Sequence, residues 1–188
     1  MSSVIQTTEP ITIVSTDADN TTTVEVFYGQ EAPRAWKPAY AAFHDTTTHT
    51  NQTPQVRAFT YNNVTESDGI TLNGSQIFVN RDGVYNFQFS VVVTKSDGGT
   101  DSVDMWFAKN GQDIPDSNTR ATLNGNGQVQ VLAWNFLTSL DAGDHIELKW
   151  YSPDTALSFP TTGPFTNPTR PRVPSIIATI TQIAPLED

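Results

Sequence analysis

From Gly83 to Val93 the chain alternates with a period of two. Tyr85, Phe87, Phe89, Val91 and Val93 are large and apolar, and the residues between them are mostly polar. Successive side chains of a strand point to opposite faces, so this segment predicts a strand with one buried face. Val103, Met105 and Phe107 repeat the pattern, as do Val129, Val131 and Ala133, then Ile146, Leu148 and Trp150, and finally Ile176, Ala178 and Ile180. Turn-forming clusters separate these runs: Ser96-Asp97-Gly98-Gly99, Lys109-Asn110-Gly111-Gln112, Asn124-Gly125-Asn126-Gly127 and Asp141-Ala142-Gly143-Asp144. Asn-Gly and Gly-rich pairs tolerate the positive φ angles that tight hairpins need. No segment sustains a helical period. About seven strands at this spacing predict an all-β sandwich or barrel.

The first 38 residues read differently. Ile11-Thr12-Ile13-Val14 and Val24-Glu25-Val26-Phe27-Tyr28 flank Asp17-Ala18-Asp19-Asn20, which predicts a small hairpin. Pro33, Arg34, Trp36 and Pro38 then make a stiff connector, because proline fixes φ and donates no backbone hydrogen bond. A lone hairpin is marginal in water. The expected organisation is therefore an N-terminal arm over residues 1–38 and a globular domain over residues 39–188. Ser158 to Pro174 carries five prolines and reads as an ordered surface loop before the last strand.

Composition sharpens this picture. Threonine is the commonest residue, and Thr, Val and the aromatics suit pleated sheets, with Asn, Asp and Gly supplying turns. Lys and Arg total 10 against 20 Asp and Glu, a net charge of −10. Such a chain lacks the cationic surplus that phosphate backbones and anionic lipids require, so nucleic-acid and membrane partners are not expected. Cysteine is absent, which excludes disulfides, Cys-zinc sites and thiol nucleophiles. Neither a signal peptide nor an apolar stretch long enough to span a bilayer is expected.

Candidate chemistry is sparse. His145 follows Asp144, but strand neighbours face opposite ways, so the pair reads as no catalytic dyad. His44, Asp45 and His49 match no strong metal-ligand spacing. The acidic run from Asp97 to Asp104 raises calcium, yet it lacks the EF-hand order and reads better as a solvated turn. No cofactor and no enzymatic activity are expected.

Three segments resemble one family. Gly83-x-Tyr85-x-Phe87-x-Phe89, the Lys109-Asn110-Gly111 turn after Met105-Trp106-Phe107, and Leu140-Asp141-Ala142-Gly143-Asp144-His145-Ile146-Glu147-Leu148 resemble, in order, signatures of C1q/TNF-like domains. The likeness runs from about residue 39 to 183. It is closer to C1q-like modules in virion proteins of tailed bacteriophages, especially those of cyanobacteria. There Asp101-Ser102-Val103-Asp104-Met105-Trp106, Pro115-Asp116-Ser117-Asn118-Thr119-Arg120 and Asn167-Pro168-Thr169-Arg170-Pro171 have counterparts. The resemblance implies a jelly-roll sandwich that trimerises and works by binding. Neither a collagen-like repeat nor a heptad stalk is present.

These observations converge on a trimeric phage capsid decoration (cement) protein, located on the virion, with the major capsid protein or another virion protein as partner. The alternative is a tail-fibre tip or adaptor that binds host surface glycan; a polysaccharide hydrolase is a third, unsupported class. The strand around Val129 is apolar on both faces: Val129, Val131, Ala133 and Leu137 on one, Leu132, Trp134 and Phe136 on the other. A second apolar face marks a protein contact. The homotrimer interface is accordingly expected at Trp106, Leu132, Trp134, Phe136 and Tyr151. Docking on the particle is expected through the arm, with Ile11, Ile13, Val24, Val26, Phe27 and Trp36 as its contact residues.

Overall fold

The computed structural model describes residues 11–16, 18–19, 22–27 and 36–186, the first and third of these segments through their backbone. Two compact units divide the chain, Met1–Lys37 and Pro38–Asp188. In the first, strand β1 (Ile11–Thr16) pairs antiparallel with β2 (Thr22–Phe27), Ile11 opposite Phe27 and Val14 opposite Val24. The side chains of Ile11, Ile13, Val24, Val26 and Phe27 lie outside the described residues, as do Pro33 and Arg34. Trp36 is 49% exposed.

The second unit opens with β3 (Tyr40–Asp45), β4 (His49–Thr50), β5 (Arg57–Ala58), β6 (Asn63–Asp68), β7 (Ile70–Asn73) and β8 (Gln76–Val79). Next come β9 (Gly83–Lys95), β10 (Thr100–Lys109), β11 (Gln112–Asp113) and β12 (Thr119–Asn124). The chain closes with β13 (Val129–Leu140), β14 (His145–Tyr151), β15 (Leu157–Phe159), β16 (Phe165–Thr166), β17 (Thr169–Arg170) and β18 (Ile176–Ala184). Described residues form no helix.

These strands make two facing antiparallel sheets. One runs β11-β10-β14-β8-β7, with β12 also on β10 and β5 on β14. The other runs β4-β15-β9-β18-β3-β6, with β13 on β9. Period-two alternation sets what each contributes to the core. Tyr85, Phe87, Phe89, Val91 and Val93 of β9 are buried and meet Val103, Met105 and Phe107 of β10 and Ile146, Leu148 and Trp150 of β14. The Phe87 and Phe107 rings lie edge to face at 5.1 Å, an arrangement that aligns ring edge with ring face.

The proline-rich stretch is more ordered than a loop at its start. Ser158 lies within β15, which pairs with both β4 and β9. Beyond it, β16 and β17 form a small hairpin, and Thr162 bridges Val173.

Candidate functional site

The three sequence signatures have local structural causes. Gly83 is buried where β9 meets β18. A Cβ there would lie 2.8 Å from the Ala184 carbonyl and collide with the Gln182 side chain. Gln182 is itself buried; it accepts from the Ala39 N–H at 2.9 Å and donates to the Asp82 carbonyl at 2.8 Å. Burial pushes the Tyr85 phenol up to about 12, so it stays protonated, and it donates to the Arg81 carbonyl at 2.7 Å.

Asn110 and Gly111 both take positive φ, as the tight turn between β10 and β11 requires. That turn is tied to the other signature: Asn110 donates to Asp144 at 2.6 Å and accepts from the His145 N–H at 2.9 Å. Lys109 adds an ion pair to Asp144 at 2.6 Å. Desolvation raises the Asp144 pKa, but hydrogen bonds from Lys109, Asn110 and the Asp141 backbone, with the Lys109 charge, outweigh it and hold it at about 2. The His145 ring packs on Phe78 at 5.0 Å. Asp144 thus serves as an anchor between two turns.

The expected interface residues do not share one surface. Leu132, Trp134 and Phe136 pair across β13–β9 with Val91, Phe89 and Phe87, whose side chains point into the core. Trp134 meets Phe89 edge to face at 4.4 Å, and Phe136 stacks on Phe107 at 4.9 Å. The expected facing of β13 is therefore reversed. Val129, Val131 and Leu137 point outward, Val131 with 64% of its surface exposed. Register explains the reversal: β13 must match the parity of β9, whose aromatic residues leave no choice of inner face. The outward rows continue across the sheet. Leu137 stands in line with Asn86, Thr181 and Tyr40, and Ala133 with Ser90 and Ile177. Tyr40, Ile177 and Ile183 are exposed there as well. Trp106 and Tyr151 belong to the opposite sheet.

Strand parity also buries two charged groups. Lys95 continues the inward series of β9 and is fully buried. Its ammonium lies 2.5 Å from Asp97 and 3.9 Å from Asp154, and it contacts the Asp101 carboxylate. Asp97, Asp101 and Asp154 together have the spacing of a cation site, but the Lys95 ammonium already supplies the positive charge at their centre. The acidic turn is thus an internal ion-pair network and not simply solvated. Asp45 continues the inward series of β3 and accepts from the Thr47 backbone and hydroxyl, both at 2.6 Å. His49 lies 3.6 Å from it. His44, its neighbour in β3, faces the other way and contacts the Thr65 hydroxyl at 3.3 Å. The sheet therefore separates His44 from Asp45 and His49.

Two clefts share Val56 in their lining. The chain between β4 and β5 crosses from one sheet to the other, because His49 pairs with Phe159 and Arg57 with Trp150. Asn51, buried in this crossing, donates to the carbonyls of Ser152 at 2.8 Å and Asp154 at 2.6 Å. The first cleft, about 380 Å³, is lined by His49, Thr50, Gln55, Arg57 and Trp150 beside Val56. Arg57 Nε and Trp150 Nε1 are buried and have no hydrogen-bond acceptor among the described residues, and the buried His49 Nε2 has only the Asp45 carboxylate, 3.6 Å away. An unmet buried donor costs about 1–3 kcal/mol. The second cleft, about 460 Å³, is walled by Trp106, Tyr151 and Ile114 and edged by Asp104, Asp113 and Asn118. Arg120 holds Asp104 through bonds of 2.7 and 2.8 Å, and Lys149 holds Asp113 at 3.0 Å. The nearby Trp106 indole N–H and the hydrogen-bonded Lys149 ammonium keep the Asp113 carboxyl below its usual range. Neither cleft is legible in the sequence as a groove, although His49, Asp104, Trp106 and Tyr151 each stand out there for other reasons.

No protein-family model matches the chain, and no curated protein is similar to it. Among solved structures it is similar to crystal structures of murine APRIL. The pH 8.0 form superposes with a TM-score of 0.50 at 11% identity, covering 78% of this chain and 100% of that one. The pH 8.5 and pH 5.0 forms have the same coverage, with TM-scores of 0.48 and identities of 12% and 11%. The fold is an all-β, TNF-like jelly roll.

Proposed function

We propose that this chain is a non-catalytic structural protein of a tailed-phage virion: a homotrimeric capsid decoration protein that attaches through its N-terminal arm. The observation that carries the self-association is the outward face of the β6-β3-β18-β9-β13 sheet, with Tyr40, Val129, Val131, Leu137, Ile177 and Ile183 exposed on it. An antiparallel sandwich needs one buried face per sheet, so a second apolar face is a contact surface. Three copies in a closed ring bury it on every subunit without leaving a growing end. The virion setting is supported by the sequence resemblance of the 101–106, 115–120 and 167–171 segments to phage modules. The arm is an independent unit whose hairpin edges are suited to adding strands to a neighbouring sheet.

Light scattering of the full chain at micromolar concentration is expected to give the mass of a trimer; a monomer overturns the assignment. Labelled protein added to particles lacking it is expected to cover the capsid. Label confined to the tail end establishes instead the fibre-tip role.

A further inference from the structure

We propose that the two clefts flanking Val56 form one groove for an acidic oligosaccharide, the sugar carboxylate being held by His49, Arg57 and Trp150. The inference does not rest on where the protein sits in a virion, since it concerns the isolated chain.

The first cleft is built to receive acceptors. Two buried N–H groups line it without an acceptor among the described residues, Arg57 Nε and Trp150 Nε1, and the buried His49 Nε2 beside them has only the Asp45 carboxylate, at 3.6 Å. Trp150 is only 1% exposed, so its indole cannot turn to bulk solvent for a partner. Its ring is fixed by Phe159 at 4.9 Å and Phe59 at 6.0 Å. The guanidinium of Arg57 is steered by Thr53, which accepts from it at 3.3 Å. A carboxylate offers two oxygens and about four lone-pair positions, enough for both donors and for a protonated His49. In a chain of charge −10, a guanidinium beside a buried indole N–H that lacks an acceptor selects an anion locally against the overall field.

The second cleft specifies what the carboxylate is attached to. Trp106 and Tyr151 present aromatic surface, against which the C–H face of a sugar ring packs while hydroxyls reach the rim. Asn118, Asp104 and Asp113 supply acceptors for those hydroxyls. Their charge does not repel an acidic ligand, because Arg120 and Lys149 already neutralise the two carboxylates. Thr50 adds a hydroxyl on the other side of Val56, where the Gln55 amide oxygen accepts from the Arg57 guanidinium at 2.9 and 3.0 Å. A peptide is the weaker fit, since β5 pairs over two residues only and gives little edge for an added strand.

Titration supplies a second signature. Burial lowers the His49 pKa, with Asp45 on β3 opposing that shift and the Arg57 cation on β5 lining the same cleft. A bound carboxylate favours imidazolium, so affinity rises as pH falls below the ordinary histidine value of 6.5.

The test titrates the full chain with trigalacturonate, a neutral galactose trisaccharide, acetate, and a tripeptide with a free carboxyl terminus. Indole N–H resonances and tryptophan fluorescence report binding. Trigalacturonate is expected to bind saturably, to shift the Trp150 N–H resonance, and to exceed each other ligand by about tenfold in affinity. Arg57→Gln should remove the preference for charge, and Trp106→Ala should weaken charged and neutral sugars alike, both at an unchanged melting temperature. If either variant unfolds, the wild-type ligand series and the Trp150 resonance still decide. Absence of saturable trigalacturonate binding, or an equal affinity for any of the other three ligands, overturns the proposal.

Discussion

A methyl group on Gly83 has nowhere to go. The Gln182 side chain that blocks it is committed at both ends, to the Ala39 N–H and the Asp82 carbonyl. Gly83→Ala is expected to destabilise the domain by about 1–3 kcal/mol, the range for overpacking; a denaturant midpoint equal to wild type contradicts this. Asp144 carries a different signature. Its folded pKa of about 2 lies below the unfolded 3.8, so its stabilisation is present above the unfolded value and disappears as pH falls toward 2. Asp144→Asn should flatten the loss of stability over that acid window, measured as urea midpoints against pH. Both residues belong to signatures visible in the sequence. Their partners, Gln182 and Asn110, become apparent only when distant strands are brought together.

At the scale of single elements, β9 and β13 show what alternation can and cannot reveal. In β9 one parity holds Tyr85, Phe87 and Phe89, so its inner face is legible from the sequence alone. The same parity carries Lys95 inside, against the ordinary preference of lysine for solvent, because Asp97, Asp101 and Asp154 are waiting there. In β13 both parities are apolar, and only pairing with β9 decides between them. The two faces should respond differently to charge. Val131→Asp is expected to leave a folded chain that no longer trimerises, seen as a monomer mass with an intact circular dichroism spectrum. Trp134→Asp places a carboxylate against Phe89 and should cost about 3–5 kcal/mol of folding stability before any question of assembly. The 49–58 crossing left little trace in the pattern because its strands are two residues long. A run that short carries no period.

For the whole molecule, the two units predict separable properties. A chain beginning at Pro38 is expected to keep the trimer and its melting temperature yet fail to attach to particles lacking the protein. Truncated trimers that still decorate such particles exclude the arm as the docking element. Attachment should also survive moderate salt. With a charge of −10 on each chain, screening weakens repulsion between subunits and shell more than it weakens any attraction. Release by sodium chloride alone contradicts that reading.

Among the described strands, β13 pairs with β9 on one side and with none on the other. Twelve residues of open backbone beside a row of exposed valines form a template that can recruit a wrong partner as readily as a right one. Where assembly covers that row, folding and association obey a single law of mass action, and the apparent stability depends on how much protein is present. Dilution then becomes a denaturant. Melting temperature should climb with concentration, and the dilute chain, newly made and still without companions, is the form most exposed to aggregation.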